Sequence, residues 1–308
     1  MSMLLIVGTV AFDAIETPFG KTDKILGGAA TYIGLSAAQL QVDAAIISVV
    51  GGDFPKEYLD ALSQNGIDTS AIEVIESGKT FFWSGRYHND MNSRDTLATE
   101  LNVLENFNPI VPPAYNCAEV LMLGNLHPDV QLGVLEQMKK KPKLVILDTM
   151  NFWMDNALEK LMQVIKRVDV ITINDEEARQ LTGEYSLVSA ARKIHTMGPE
   201  YVVIKKGEHG ALLFNRNNVF YAPALPLESV FDPTGAGDSF AGGFAGFLSK
   251  TGDFSFAGLK KAVIYGSALA SFCVEKFGTE RMLSLTNKDL NQRLNQFKAL
   301  THFDIEVK

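Results

Sequence analysis

A carboxylate placed just after two glycines at a helix start can remove a proton beside a bound anion, and residues 232–238 have that composition. They read Asp232-Pro233-Thr234-Gly235-Ala236-Gly237-Asp238, followed by Ser239-Phe240-Ala241-Gly242-Gly243-Phe244. The first turn of a helix has N–H groups without intrahelical partners and carries the positive end of the helix dipole. Gly235 and Gly237 lack the side chains that would bar an anion from those amides. The amides of Gly235, Ala236, Gly237 and Asp238 are therefore suited to hold developing negative charge. The Asp238 carboxylate is suited to take a proton from an alcohol beside them. Taken alone, the same residues also describe a plain glycine turn with Asp238 as a helix-start acid.

Such a site needs a strand, a turn and a helix. Val230-Phe231 is expected to end the strand, and Pro233 with the glycines to make the turn. Phe240, Phe244 and Phe247 then recur at helical spacing. Gly242, Gly243 and Gly246 each cost roughly 1 kcal/mol against alanine in a helix, so this helix is expected to press closely on a neighbour. Apolar runs at 4–8, 44–50, 120–123, 144–147, 168–173 and 201–204 read as buried strands. Helical stretches separate most of them. The alternation predicts an α/β fold, a doubly wound and mainly parallel sheet with helices on both faces. Residues 81–88 alternate, with Phe81, Trp83 and Tyr87 on one face and Ser84, Arg86 and His88 on the other. The polar residues 88–99 read as a hairpin tip or mobile loop. No linker or repeat divides the chain.

Other candidates fall at strand ends. Asp13 lies just beyond the first strand, where open sheets place ligand contacts. Asn125 and Asp148 border the cleft by the same argument. Gly27-Gly28 opens a helix. Asn174-Asp175-Glu176-Glu177 reads as a capping arrangement, Asn174 as N-cap and Glu177 reaching back. Lys205-Lys206-Gly207-Glu208-His209-Gly210 has glycines suited to bend around phosphate and a lysine, Lys205, able to offset its charge; a solvated turn is the plainer account. Arg86 could reach an anionic or hydroxyl-rich substrate.

Composition narrows the class. The chain has 308 residues, 46% hydrophobic and 21% charged, which is globular. A net charge of −8 argues against nucleic acid or an anionic membrane as main partner. The two cysteines, Cys117 and Cys273, have no metal-type spacing and read as reduced core thiols of a cytoplasmic protein. No apolar run approaches the roughly 20 residues that span a bilayer. Residues 1–12 lack a basic start, so a first strand is expected there and not a signal peptide.

The run Asp-Pro-Thr-Gly-Ala-Gly-Asp-Ser-Phe-Ala-Gly-Gly-Phe at 232–244 resembles the C-terminal signature of the ribokinase-like, phosphofructokinase-B-type carbohydrate kinases. Pro233 stands where that family often has threonine. The resemblance covers nearly the whole chain. It implies one ribokinase-like kinase domain over 1–308, with a small β-sheet lid near 12–24 and 80–104. It implies transfer of the γ-phosphoryl group of ATP, with Mg²⁺, to a hydroxyl of a sugar or sugar-like molecule. Asp238 would be the base, and Gly235, Ala236 and Gly237 the anion hole. Thr234, Gly235, Gly237, Lys205, Gly207 and Gly210 would meet the nucleotide. Asn174 and Glu177 would organise water-bound Mg²⁺, and Asp232 would stand near a monovalent cation, K⁺ in some relatives. Asp13, Gly27, Gly28, Arg86 and Asp238 would meet the acceptor. A lid-mediated homodimer is a further implication.

One position departs from ribokinase itself, which has asparagine four residues after the second glycine where this chain has Tyr32. That weakens free ribose as the acceptor and suggests an aromatic wall or a hydroxyl in the pocket. A nucleoside kinase is the alternative, with Tyr32 and the aromatic lid residues stacking on a base. A non-catalytic sugar- or nucleotide-binding regulator is another. A dinucleotide-dependent oxidoreductase is disfavoured, because Gly8-Thr9-Val10 holds no GxGxxG.

Overall fold

The computed structural model describes residues 3–302 and 304. Residues 1–2, 303 and 305–308, the ends of the expected domain, lie outside the described residues. In chain order the strands are β1 (Met3–Val7), β2 (Ala11–Thr17), β3 (Gly20–Lys21), β4 (Ile25–Gly27), β5 (Asp43–Gly51), β6 (Ile67–Ile75), β7 (Phe82–Tyr87), β8 (Arg94–Glu100), β9 (Val120–Leu123), β10 (Leu144–Asp148), β11 (Val170–Asn174), β12 (Tyr201–Lys205), β13 (Ala211–Phe214) and β14 (Val219–Ala222).

Nine of them form one sheet in the order β14-β13-β12-β11-β10-β9-β1-β5-β6. From β12 to β6 every pairing is parallel; the β13 and β14 edge is antiparallel. Parallel strands are covered on both faces and so are apolar throughout. In β1, Leu4 and Ile6 join one core, with Phe240, Phe244 and Leu269 from helices Ala236–Thr251 and Phe256–Cys273. Leu5 and Val7 join the opposite core, with Leu161, Ile165 and Ile194. The chain builds β5 and β6 on one side of β1, then returns to build β9 to β12 on the other. The sheet order therefore reverses between β1 and β9, and the crevice beyond the strand carboxyl ends at such a reversal is a ready ligand site.

A second, five-stranded sheet runs β3-β2-β7-β8, with β4 paired to β2. Three expectations change here. Cys117, read as a core thiol, is exposed, while Cys273 is buried. Residues 94–99, within the stretch read as a hairpin tip or mobile loop, belong to β8 and pair with β7. Their polar composition reflects a largely exposed edge strand, not an absence of pairing. Residues 230–231 are not a strand end: the segment before the glycine turn is irregular, and the Phe231 amide donates to the Val274 carbonyl at 2.8 Å. Among the described residues no helix is long and apolar enough to cross a membrane.

The glycines of helix Ala236–Thr251 have the packing reason their composition calls for. A side-chain carbon at Gly242 would fall 2.2 Å from the Ile33 carbonyl oxygen, on helix Ala29–Ala38. Gly242→Ala should therefore destabilise the protein by about 1–3 kcal/mol from overpacking, despite alanine's roughly 1 kcal/mol advantage in helix propensity. Urea unfolding measures this, and an equal or higher midpoint would show that the two helices have room to part.

Candidate active site

Three neighbouring parallel strands end in polar residues on the same edge: Asp148 ends β10, Asn174 ends β11 and Lys205 ends β12. Asn174 is the N-cap of helix Asp175–Thr182. Its Oδ1 accepts from the Glu177 amide at 2.8 Å, and its own amide donates to Glu177 Oε2 at 2.8 Å. This reciprocal box closes the helix end and turns the Glu177 carboxyl back toward the strand ends. The Lys205 ammonium donates to Asp148 Oδ1 at 2.7 Å, and the Thr172 hydroxyl donates to the same oxygen at 2.8 Å.

The glycine turn faces this row. Gly235 is the N-cap of helix Ala236–Thr251 at φ 75°, a left-handed conformation suited to glycine. A side-chain carbon there would fall 2.5 Å from the Tyr32 ring. Tyr32 is thus buried beneath the turn and is not an open pocket wall. The amides of Gly235 and Gly237 find no acceptor among the described residues, whereas the Ala236 amide, expected in the anion hole, donates to the Pro233 carbonyl at 3.1 Å as part of the turn. Lys205 Nζ lies 3.3 Å from where a Gly237 side-chain carbon would be, so the lysine sits against those amides. Asp238 occupies the first turn of the helix. Asp232 is buried and braces the segment: Oδ1 accepts from the Thr234 amide at 2.9 Å and Oδ2 from the Gly278 amide at 2.8 Å.

The second sheet supplies the other wall. Asp13 lies on β2, buried, and its carboxyl fills the space a Gly27 side chain would need. Gly28 is at φ 94° and begins helix Ala29–Ala38. Trp83 on β7 is in register with Asp13. The Thr234 hydroxyl and the Tyr87 hydroxyl are 3.2 Å apart, which joins this sheet to the glycine turn. Gly207 and Gly210 flank the turn after β12; Gly207 lies close to Asn92, and the Asn92 amide donates to Glu208 at 3.4 Å.

Arg86 is placed differently from the other candidates. It is in register with Glu16 on β2 and donates to it at 2.8 Å, on an exposed face. Arg94 on β8 is opposite Tyr87, so it shares the inward face, with its guanidinium carbon 5.8 Å from the Trp83 ring. Arg94 was missed because its face is defined only once residues 94–100 are known to pair with β7.

The electrostatics follow from burial. Burial, then the Asp148 charge, pushes the Asp238 carboxyl up to about 7, against the pull of Lys205 and Arg94. Burial also pushes Asp13 to about 7, with Asp232 and Asp238 adding to it while the Gly28 amide lowers it. Glu177 rises to about 7 chiefly by burial, opposed by Lys205. For Lys205 burial alone would favour the neutral amine, but Asp148 and Glu177 outweigh it and the net shift is upward. Among the described residues no three Asp, Glu, His or Cys side chains gather into a metal cluster.

A raised carboxyl is a stability liability at high pH. The Asp238 contribution is intact below its unfolded value near 3.8 and is lost as pH rises through about 7. Asp238→Asn removes that loss. Its melting temperature should exceed the wild type's by an increment that grows from pH 5 to pH 8, on the order of 2–4 °C per kcal/mol relieved. An increment that stays flat over this range would show Asp238 already ionised at pH 5.

Comparison with known proteins places the chain. A family model described as pfkB family carbohydrate kinase matches residues 1–286. A cytidine kinase of Thermococcus kodakarensis is 34% identical over 253 residues, covering 80% of this chain and 88% of that protein. A nucleoside kinase of Methanothermobacter thermautotrophicus is 27% identical and covers 96% of each chain. The crystal structure of Methanocaldococcus jannaschii nucleoside kinase, described as an archaeal member of the ribokinase family, superposes with a TM-score of 0.78 at 23% identity, covering 96% of this chain and 99% of that one. The ribokinase-like fold, with the crevice and glycine turn described above, is thus that of a phosphotransferase with a hydroxyl acceptor, and the chain belongs to the pfkB family of carbohydrate kinases.

Proposed function

We propose that the protein transfers the γ-phosphoryl group of ATP to a ribosyl hydroxyl, with a nucleoside as acceptor. The observation that supports the transfer step is the junction at residues 235–238. Open amides, a buried ammonium and a carboxylate meet there at one helix end. The acceptor hydroxyl lies between Asp13 and Asp238. Asp238 takes its proton as the oxygen attacks the γ-phosphorus. The bond from that phosphorus to the β–γ bridging oxygen breaks, and its electron pair leaves with ADP. The amides of Gly235 and Gly237 and the Lys205 ammonium oppose the charge on the moving group. Arg94 and Thr234 border it, and Gly207 and Gly210 bend the chain around the remaining phosphates. In phosphoryl transfer this placement and charge compensation supply most of the rate.

Glu177 suits a divalent cation, since a buried carboxyl with one oxygen on an amide and a raised pKa gains from a nearby positive charge. Mg²⁺ keeps several waters and binds few protein ligands, so Asn174 and Glu177 would hold it through water. It would neutralise phosphate charge. Asp232, the candidate beside a monovalent cation, has each oxygen on one amide and a further lone pair on each. Pairing of two copies through the lid is supported by the exposed leucines Leu97 and Leu101 at its β8 end.

The acceptor class rests on Trp83. Its register places an aromatic ring beside Asp13, the carboxylate that would take the ribose hydroxyls. A base could stack there with its whole π-face, whereas a free pentose offers the ring only its C–H groups. The cytidine and nucleoside kinase relatives point the same way. A free sugar is the second reading, and a panel of nucleosides and sugars with ATP separates the two. In that assay Asp238→Asn should cut turnover about 10²- to 10⁴-fold while ATP binding persists; near-normal turnover would remove Asp238 as the base. Trp83→Ala should raise KM for nucleosides about tenfold or more, from the ~1–3 kcal/mol of base stacking, and leave any sugar KM unmoved. Equal effects on both would argue for the sugar reading.

A further inference from the structure

A lysine side chain is four flexible carbons long and does not hold a position unaided. Lys205 is held. Its ammonium is 2.7 Å from Asp148 Oδ1, with side-chain exposures of 17% and 8% for the pair. The same carboxylate oxygen is pinned by the Thr172 hydroxyl at 2.8 Å. The contacts cross three adjacent strands, β10, β11 and β12, and end 3.3 Å from the place a Gly237 side chain would take. A buried ion pair is a poor source of stability, because desolvation offsets most of the attraction. This one stands at the transfer point and aims its cation at the open amides.

We propose that Asp148 is a positioning residue, which holds Lys205 against the glycine turn and yields part of the ammonium's charge to the phosphoryl group as it moves. The proposal rests on the kinase reading above. The Asp148 carboxylate already holds the Lys205 ammonium at 2.7 Å, so the ammonium adds little to ground-state binding of ATP. As charge develops on the equatorial oxygens, the ammonium is shared between Asp148 and the moving group. An interaction that strengthens only then raises kcat and leaves KM nearly unchanged. The two partners also act oppositely on the base. The Asp148 charge opposes ionisation of Asp238, and the Lys205 charge favours it.

The test is a set of variants, Asp148→Ala, Asp148→Asn, Lys205→Met and the double variant Asp148→Ala/Lys205→Met, read by steady-state kinetics from pH 5 to 9. Lys205→Met should lose about 10²- to 10³-fold in kcat, the usual loss for an oxyanion donor. Asp148→Ala should lose about 10- to 100-fold with KM for ATP within about threefold, and Asp148→Asn, which keeps an acceptor oxygen, should recover part of it. The acid limb of kcat/KM should move to lower pH in Asp148→Asn and to higher pH in Lys205→Met. The double variant buries no unpaired charge, so it guards against misfolding, and it should be no slower than Lys205→Met alone. Losses that multiply in the double variant, or acid limbs that move together or not at all, would overturn the proposal.

Calorimetry with inorganic tripolyphosphate separates this failure from failure of the kinase reading. A wild type that turns over no acceptor ends the kinase reading. The positioning proposal expects Lys205→Met and Asp148→Asn each to bind that anion within about threefold of the wild type, and a loss of tenfold or more in either would show the ammonium already given to the ground state and overturn it.

Discussion

Backbone-level contact between two helices fixes the geometry of the site. Gly235, Gly242 and Gly246 of helix Ala236–Thr251 and its cap lie against Tyr32, Ile33 and Ala37 of helix Ala29–Ala38. One helix begins with the amides of the glycine turn, and the other begins at Gly28, beside Asp13. The seam between them therefore sets the distance from the glycine turn to Asp13. Side chains along it would push the two helix starts apart, and a shift of about 1 Å is enough to cost a catalyst heavily. The poor helix propensity of these glycines is what the close approach requires.

On that frame the charges are arranged with little slack. Asp13, Asp148, Glu177 and Asp238 converge where Lys205 is the buried cation and Arg94 reaches in from the second sheet. Burial makes Asp13, Glu177 and Asp238 resist ionisation. Perturbed carboxyls of this kind gather where a site is built to meet charge during a reaction.

Much of this was legible in the sequence. The buried strands announced themselves as continuous apolar runs, and the Asn174–Glu177 box was readable because capping is a local interaction at fixed spacing. The glycine pattern foretold a close helix contact without naming its partner. What was not legible depended on pairing. Residues 94–100 are polar because they form an exposed edge, so Arg94 could be assigned a face only through its register with Tyr87. Arg86 looked available until β2 placed Glu16 beside it. The strand expected at 230–231 failed because those apolar residues pack irregularly, with Phe231 tied to Val274. Tyr32 read as a pocket wall, and its burial under Gly235 is a tertiary fact that spacing does not carry.

The contact between Tyr87 and Thr234 ties the roof of the crevice to its floor. The two residues are 147 positions apart, yet their hydroxyls meet at 3.2 Å just before the glycine turn. Changes that widen the roof for a bulkier acceptor can accumulate at Trp83 without touching that bond. A change at residue 87 alters acceptor fit and turn geometry at once. The family's variety of acceptors is then free to arise along one strand of the roof, while the position that touches the turn stays under a separate and stricter constraint.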